Sequence, residues 1–355
     1  MNYMLRFAKQ IGLKNLLFVL AFLSAFLLTN SCDNPSEPND PPPGRRDYVW
    51  TVDTINPGYD YASLGRIWGS SAADVWAVGD GDALFRMWHY DGYKWTNYYK
   101  EATNSLEVIT PTSIWGTANY NVWMGSANST MWRYNGTQWS LYGEYKVVGY
   151  DRVIINNFDG ISSNDIYGVG ATDVYNSNTY KAVVMHYDGA RWSFINVPDT
   201  KVSLGTVAVE SKSGVLVTSG TVYDPSGFVA KVYSWDGKEL KELLSGSGWS
   251  FVTKLNNEIF ATLGRKIYKY SNKQLTLWKD NTGTGINGNI VCGRSRNDFF
   301  IGGYGGMLHY NGTDFSTIYP TNLTIQRGIT FEKDVFFIGK DYSNMKNYII
   351  HGQLK

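Results

Sequence analysis

The chain has few of the residues that usually carry chemistry or covalent cross-links. Its 355 residues include two cysteines and four histidines. Two cysteines cannot build the disulfide framework of a small secreted domain. Lys and Arg number 32 against 31 Asp and Glu, which gives a formal net charge of +1 without a long run of one sign. The concentrated basic face that nucleic-acid binding requires is therefore not expected.

Familiar catalytic signatures are also missing from the sequence. It has no glycine-rich phosphate loop, no zinc-ligand spacing and no Gly-x-Ser-x-Gly elbow. Beyond the first 46 residues, no stretch keeps a helical period of apolar residues. Neither a cofactor nor a metal is expected from these patterns, and no reaction can be inferred from a motif.

What the chain does have is a repeated aromatic phrase. Its first copy runs Ile67-Trp68-Gly69, Asp74-Val75-Trp76-Ala77-Val78-Gly79, His89-Tyr90-Asp91-Gly92 and Trp95. Residues 114–139 and 165–192 keep the same order, the second of these in a weaker form. A repeat of about 40–50 residues that holds several short strands is typical of a radial or stacked β architecture.

One position of the phrase can be followed to the end of the chain and gives the number of repeats. It falls at Asp74, Asn121, Asp165, Gly214, Glu258, Asp298 and Asp334. Seven repeats are therefore expected, and six or eight stay open because the fourth and fifth copies match least well.

Each repeat reads as four antiparallel strands. In the second repeat, aromatic and β-branched residues gather at 113–116, 122–125, 131–134 and 138–142, as strands require. Asn135-Gly136 lies between the third and fourth segments, and Asn-Gly favours a tight hairpin because a type I′ turn needs positive φ. The sequence thus predicts an all-β protein, a β-propeller with seven four-stranded blades.

The ends of the chain predict how the ring closes. The last repeat stops after residues 347–352 without a fourth strand, whereas residues 47–52 precede the first repeat with nothing to pair with. We expect residues 48–53 to pair with residues 347–352 and complete the last blade, because this pairing removes two exposed edges.

The first 46 residues indicate an address and a tether. Three basic residues precede an apolar run over residues 16–28 that is short for a membrane span and suits a secretory signal. The run leads to Cys32 and resembles a bacterial lipoprotein signal, which implies cleavage before Cys32 and attachment of diacylglycerol and a further acyl chain such as palmitate. An ordinary signal peptide with an incidental cysteine is the alternative.

These features divide the chain into three segments. Residues 1–31 are the predicted signal peptide, residues 32–46 a disordered Pro-rich tether, and residues 47–355 the propeller domain. The lipid chains would hold the protein to a membrane of the bacterial envelope, either the outer membrane or the cell surface. Cys292 follows two apolar residues and is expected to be a buried small hydrophobe.

Two resemblances concern the repeat itself. The Asp-Gly-x-x-Trp element, as at residues 91–95 and 188–192, resembles the Asp-box of sialidase-type propellers, which implies a structural turn outside the active site. The sialidase arginine triad has no counterpart here, so that activity is not implied. The whole phrase resembles repeats of secreted bacterial propeller lipoproteins, some of them called glucosyltransferase-like, and this resemblance implies a fold.

The histidines are expected to be structural. His89, His186 and His309 hold the same slot in three different repeats, so in a ring they lie far apart and cannot converge on one metal or nucleophile. Arg133 fills this slot in the second repeat, and His351 stands alone near the C-terminus.

Three longer segments on adjacent blades give a functional hypothesis. Residues 173–180 and 223–228 lengthen the middle hairpins of the third and fourth blades, and residues 142–159 form a long link between blades two and three. The aromatic residues of the two hairpins, Tyr175, Tyr180, Tyr223 and Phe228, suit contacts with a glycan or an envelope protein on a face formed by blades two to four. We therefore expect a non-catalytic binding or scaffold protein. The insertions could equally be tolerated surface loops.

The alternative function is a carbohydrate-active enzyme, a glycosidase or a glycosyltransferase-like protein. Its carboxylates would come from several blades, one from each, so no motif would reveal them. A concave pocket with two carboxylates about 5–10 Å apart would favour this alternative.

Overall fold

The computed structural model describes residues 41–55, 62–82, 85–98, 109–175, 177–211, 213–224 and 227–355. All 26 secondary-structure elements in these ranges are β-strands, β1 to β26, in antiparallel sheets. The predicted all-β class is confirmed. Residues 1–40, including the predicted signal peptide and Cys32, lie outside the described residues.

The first five blades are separate four-stranded sheets, each formed by consecutive strands. They comprise β2 (Ala62–Ser71), β3 (Asp74–Gly81), β4 (Met87–Tyr90) and β5 (Trp95–Asn97); β6 (Pro111–Ala118), β7 (Asn121–Ser126), β8 (Thr130–Tyr134) and β9 (Trp139–Glu144); β10 (Arg152–Ser162), β11 (Asp165–Asp173), β12 (Ala182–Tyr187) and β13 (Trp192–Ile195); β14 (Ser203–Val209), β15 (Leu216–Asp224), β16 (Gly227–Trp235) and β17 (Leu240–Gly246); and β18 (Ser250–Leu255), β19 (Glu258–Leu263), β20 (Lys266–Ser271) and β21 (Gln274–Asp280).

The last two blades share one sheet because two of its elements each serve twice. The elements are β22 (Asn287–Ser295), β23 (Asp298–Tyr310), β24 (Phe315–Thr330), β25 (Asp334–Asp341), β26 (Lys346–Leu354) and β1 (Tyr48–Thr54). The first part of β23 pairs with β22 and the last part with β24, and the element turns at Gly305 and Gly306, whose φ angles are 93° and 121°.

β24 changes partners in the same way. Residues 315–320 pair with β23 and complete the sixth blade, whereas residues 324–330 pair with β25 and begin the seventh. The six elements therefore supply eight strand segments, which make two four-stranded blades. With the first five sheets, the ring has the seven blades expected from the repeat.

The N-terminal strand closes the ring as predicted. β1 pairs antiparallel with β26, with Tyr48 opposite Leu354 and Thr54 opposite Tyr348. Trp50 lies across from Gly352, where an added Cβ would come within 2.5 Å of the indole ring. The seventh blade is thus built from both ends of the propeller sequence, and β1 covers the edge that β26 would otherwise expose.

The repeated tryptophans join neighbouring blades. Trp76 of the first blade is fully buried and packs 5.5 Å from Trp139 of the second, centroid to centroid. Trp123 packs in the same way, 5.4 Å from Trp192 of the third blade. Large aromatic side chains supply much of the apolar area that neighbouring flat sheets bury against each other. This packing explains why the repeat has a tryptophan in its second strand and another in its fourth strand.

Because every blade is antiparallel, the propeller has two distinct faces. The turns between first and second strands and between third and fourth strands lie on one of them, which we name the turn face. The opposite one, the hairpin face, carries the hairpins between second and third strands and the links between blades. The first strands of neighbouring blades contact one another and line the central channel.

The segment before β1 is bonded to the turn face. The Gly44 amide donates to the carbonyls of Asn297 and Asn311 at 3.0 and 3.2 Å, and the Arg46 guanidinium pairs with Asp314 at 2.6 Å. These partners belong to turns of the sixth blade. Gly44, three residues before the predicted domain boundary, is therefore already bonded to the propeller, on the turn face.

Candidate functional site

All four histidines occupy one structural slot. In each case Nε2 donates to the carboxylate that opens the second strand, and the ring packs on an aromatic residue of that strand. The carboxylate contacts are His89 to Asp74 at 2.7 Å, His186 to Asp165 at 2.7 Å, His309 to Asp298 at 2.8 Å and His351 to Asp334 at 2.8 Å. The position of His351 near the C-terminus suggested that it stands alone, but the structure shows that it fills the same slot in the seventh blade.

These pairs hold second and third strands together near the turn face. The ring of His89 stacks 4.2 Å from Trp76, and that of His351 stacks 4.0 Å from Phe336. Burial raises the pKa of Asp74, but hydrogen bonds from His89 and Ser70 outweigh it and leave that pKa below its usual value. In the second blade, Arg133 bonds Asn121 instead. Each histidine is engaged within its own blade, and no three potential metal ligands gather among the described residues.

The four aromatic residues predicted from the insertions all lie on the hairpin face, but they fall into three settings. Tyr180 and Tyr223 meet with ring centroids 5.7 Å apart, and the Tyr223 amide donates to the Tyr180 hydroxyl at 2.8 Å. Both line a 270 Å³ cavity between the third and fourth blades. We name this space the side cavity.

The other two predicted residues pack elsewhere. The Tyr175 ring lies under the guanidinium of Arg152, 4.7 Å from its centroid, and Arg152 also pairs with Asp173. Phe228 packs 4.6 Å from Trp249, which belongs to the link between the fourth and fifth blades. Through its contact with Trp249, Phe228 lies beside a second and larger cavity.

That larger space is a 760 Å³ cavity at the hairpin end of the central channel, which we name the channel cavity. It lies between the fifth, sixth, seventh and first blades. Its lining includes Gly65, Arg66, Trp249, Phe251, Asn289, Tyr304, Gln326, Arg327 and Tyr342. Three of these aromatic side chains form an exposed rim, with Trp249 55%, Tyr304 70% and Tyr342 57% accessible.

The floor of the channel cavity carries two arginines, one from each of two neighbouring blades. Each follows a β-bulge in a first strand, where the pairing steps from Leu64 to Arg66 and from Ile325 to Arg327. A bulge inserts one extra residue and re-aims the side chains beside it. The first strands of other blades carry a similar irregularity, as at Ile155/Asn157 and Ile290/Cys292, so Arg66 and Arg327 hold equivalent positions in two adjacent blades.

Neither guanidinium pairs with a carboxylate in the described part of the chain. Arg66 donates to the carbonyls of Asn156 and Gly65 at 3.2 and 2.9 Å. Arg327 donates to the Gln326 carbonyl at 2.9 Å and packs 4.8 Å from the centroid of the Phe251 ring. Burial lowers the pKa of Arg66, and burial together with the charge of Arg66 lowers the pKa of Arg327 to about 9.

Among the described residues, no aspartate or glutamate lines the channel cavity. The nearby first-strand carboxylate of Asp159 is paired with Lys254 at 2.6 Å and accepts the Val209 amide at 2.7 Å. Burial raises the pKa of Asp159 although Lys254 opposes the shift. The described residues of the channel cavity thus form an aromatic rim and a cationic floor, and they include no pair of carboxylates of the kind that glycoside hydrolysis uses.

The rim and the floor were missed by reasoning from the sequence. The sequence contains one weak signal for the rim. Trp249 follows Gly246 and Gly248, and Tyr304 lies between two Gly-Gly pairs, so each aromatic side chain has few neighbouring side chains in the sequence to pack against.

In the described part of the chain, no helix is both long and apolar enough to cross a bilayer.

Comparison with known proteins supports the fold and does not assign a function. No family model matches the chain, and no curated protein matches it. Among solved structures, YCF48 bound to a D1 peptide is similar with a TM-score of 0.60 and 13% identity, covering 88% of this chain and 99% of that one.

Two further solved structures are similar to the same degree. YCF48 from Cyanidioschyzon merolae has a TM-score of 0.57 and 12% identity and covers 85% of this chain and 98% of its own. The Cps50 (Swd1) propeller domain of Myceliophteria thermophila has a TM-score of 0.54 and 8% identity, with coverages of 84% and 99%. At these identities the likeness shows a shared β-propeller fold.

Proposed function

We propose that this protein is a non-catalytic binding propeller that holds an extended peptide segment of another envelope protein in the channel cavity. The observation that carries the proposal is the exposed rim of Trp249, Tyr304 and Tyr342 around a concave 760 Å³ space. Aromatic side chains supply large contact areas at little cost in rotamer entropy, so a few of them can dominate recognition.

The size of the channel cavity suits a short stretch of peptide. Cavities of about 300–1,000 Å³ bury most of a drug-sized ligand, and the rim would contact the chain on either side of the buried stretch. A propeller with a similar fold, YCF48, has been solved bound to a D1 peptide, which is consistent with a peptide ligand here.

The proposed location is a bacterial envelope membrane, with the protein anchored through an acylated Cys32. The entry of the chain supports a particular orientation. Gly44 and Arg46 bond turns of the sixth blade on the turn face, whereas the channel cavity opens on the hairpin face. A tether that leaves from the turn face would hold the binding cavity away from the bilayer.

A glycan is the second candidate ligand, and one contact favours it. The rings of Phe228 and Trp249 lie 4.6 Å apart at an interplanar angle of 31° and are 37% and 55% exposed. Such a pair presents a flat apolar platform with polar groups nearby. The carbohydrate-active enzyme has less support, because the described residues that line the channel cavity include no carboxylate.

The experiment is a capture comparison with matched variants. Affinity-tagged full-length protein, extracted in mild detergent, would be incubated with envelope proteins and, in parallel, applied to a glycan array. The test variant carries Trp249→Ala, Tyr304→Ala and Tyr342→Ala. The control carries Tyr93→Ala and Tyr120→Ala, which are 93% and 64% exposed in turn-face positions.

We expect an enriched protein partner that is lost with the test variant and kept with the control. Glycan binding with the same dependence would transfer the function to the second candidate. A partner captured equally by both variants, or no ligand in either arm, would refute binding at the rim.

A further inference from the structure

We propose that Arg66 and Arg327 form a carboxylate-binding site at the floor of the channel cavity, and that it takes a carboxylate of the bound peptide. The inference rests on the proposed function and specifies the chemistry of its ligand. Both residues line the same cavity, and among described residues neither has a carboxylate partner.

Among the described residues, Arg66 and Arg327 lack the carboxylate partner that two partly buried arginines of the sixth blade have. Arg294 pairs with Asp298 at 2.9 Å, and Arg296 pairs with Glu258 at 3.0 Å. A partly buried charge without a counter-ion is costly, and proteins normally pair it or leave it in water. The cost at Arg66 and Arg327 is relieved if a ligand brings the missing negative charge.

The hydrogen-bond count agrees with a ligand role. A guanidinium has five N–H donors. The described residues accept from Arg66 twice and from Arg327 once, and all three acceptors are main-chain carbonyls. Those bonds fix the direction of each side chain while most of the donors stay available to a ligand in the cavity.

The two cations also act on each other. Arg66 is close enough to Arg327 to lower its pKa by like-charge repulsion. One anion placed between them would relieve the desolvation and the repulsion together. Asp159 is already paired with Lys254 at 2.6 Å, so it does not supply that anion.

The chemistry of the anion follows from guanidinium geometry. Two parallel N–H groups match the two oxygens of a planar carboxylate, and such bidentate contacts are among the strongest charge-assisted hydrogen bonds. In an unmodified peptide, the carboxylate is supplied by Asp, Glu or the C-terminus. The two sources share the same contact and can be separated by amidation of the terminus.

The test uses the full-length protein in detergent and four tetrapeptide probes: tetraglutamate and tetraglutamine, each with a free or an amidated C-terminus. Dissociation constants of these probes, and of inorganic phosphate for comparison, would be measured by titration calorimetry at low salt and at about 0.3 M salt, where exposed charges are screened. The test variants are Arg66→Gln and Arg327→Gln. The matched control is Arg86→Gln, because Arg86 also bonds carbonyls, of Gly81 and Ile109, but does not line the channel cavity.

We expect tetraglutamate to bind, each test variant to weaken binding by about tenfold or more, and the control to change it by less than about twofold. Binding of free-acid tetraglutamine would identify the terminal carboxylate, and tetraglutamate binding that survives amidation would identify side-chain carboxylates. Thermal unfolding without probe checks the fold. If a glutamine variant fails to fold, Arg66→Lys and Arg327→Lys replace it, since they keep the charge and lose the planar fork.

Three results would overturn the proposal: no probe binds, the arginine variants bind like the wild type, or inorganic phosphate binds more tightly than tetraglutamate. The capture experiment separates this failure from failure of the proposed function. A partner lost with the rim variant but kept with both arginine variants would refute the carboxylate site alone. Arginine-dependent tetraglutamate binding without any captured partner would support the anion site and refute the peptide function.

Discussion

The closure of the ring by β1 can be tested with one pair of residues. Trp50 lies opposite Gly352, and a Cβ added at Gly352 would lie 2.5 Å from Cζ3 of the indole. Gly352→Ala should therefore force Trp50 or β26 to move, whereas the same change should be accommodated in a Trp50→Ala background. The two substitutions are predicted to be strongly non-additive because one removes the atoms that obstruct the other.

The magnitudes follow from packing. Trp50 also contacts Tyr48 and Tyr319, with ring centroids 5.2 and 5.1 Å away. Trp→Ala at a buried site costs about 3–5 kcal/mol, and since Trp50 is only partly buried we expect the lower end, about 3 kcal/mol. With about 300 residues and an unfolding entropy of about 2.1 cal/mol/K per residue, this lowers Tm by about 5 °C.

Overpacking by Gly352→Ala should cost about 1–3 kcal/mol in the wild type. In the Trp50→Ala background the cost should fall towards zero, which gives a coupling free energy of about 1–3 kcal/mol. Thermal unfolding of the four proteins, followed by circular dichroism, measures it. Val49→Ala is the control, because Val49 is 53% exposed on the same strand and should shift stability by less than about 0.5 kcal/mol.

A coupling near zero would refute the closure geometry. Equal losses from Trp50→Ala and Val49→Ala would do so as well, because they would mean that β1 does not bury its tryptophan against the seventh blade.

Three further predictions concern the buried carboxylate of Asp298, the predicted lipid anchor at Cys32 and the segment that precedes β1. Burial raises the pKa of Asp298, but hydrogen bonds and charge from His309 and Arg294 outweigh burial and leave this pKa below its usual value. The ionised Asp298 therefore contributes its full stabilisation above the ordinary Asp pKa of about 3.9, and this stabilisation is lost as the pH falls below that value. Asp298→Asn should cost about 3–5 kcal/mol near pH 7 by leaving buried charge unpaired and should flatten unfolding stability measured against pH in this acidic window. Cys32→Ala should release the protein from the membrane fraction, and unchanged processing and fractionation would contradict lipidation. Deletion of residues 33–40 should leave Tm unchanged, whereas deletion of residues 33–52 should lower it strongly; equal melting would contradict a role for β1.

Much of the fold was predictable because the repeated residues occupy equivalent positions and make equivalent contacts in each blade that keeps the phrase. Trp76 and Trp139 join neighbouring blades, so the spacing of the tryptophans reports the spacing of the sheets. The turn at Asn135 and Gly136 follows from positive φ, observed at 98° for Gly136. The sequence could not predict that β23 and β24 each pair with two different strands. That arrangement depends on the bend at Gly305 and Gly306 and on the path of the long strand β24 in the assembled ring.

The candidate site was predictable only in part. The sequence left open which face binds, and the structure places both insertions on the hairpin face, where Tyr180 and Tyr223 meet. Arg66 and Arg327 could not be paired from the sequence because they belong to opposite ends of the chain. They become neighbours only when β1 joins the seventh blade and the ring places that blade beside the first. Two β-bulges then aim both side chains into one cavity, and bulge positions are not visible in a pattern of apolar residues.

The most direct test of peptide binding in the channel cavity is site-specific photo-crosslinking in intact cell envelopes. The photoreactive residue p-benzoylphenylalanine would replace Tyr304, 70% exposed on the rim of the channel cavity, or Tyr93, 93% exposed on the turn face. The binding account predicts a discrete adduct with one envelope protein from position 304, mapped by mass spectrometry to a short peptide segment, and none from position 93. Absence of an adduct at 304, or the same adduct from both positions, would contradict it.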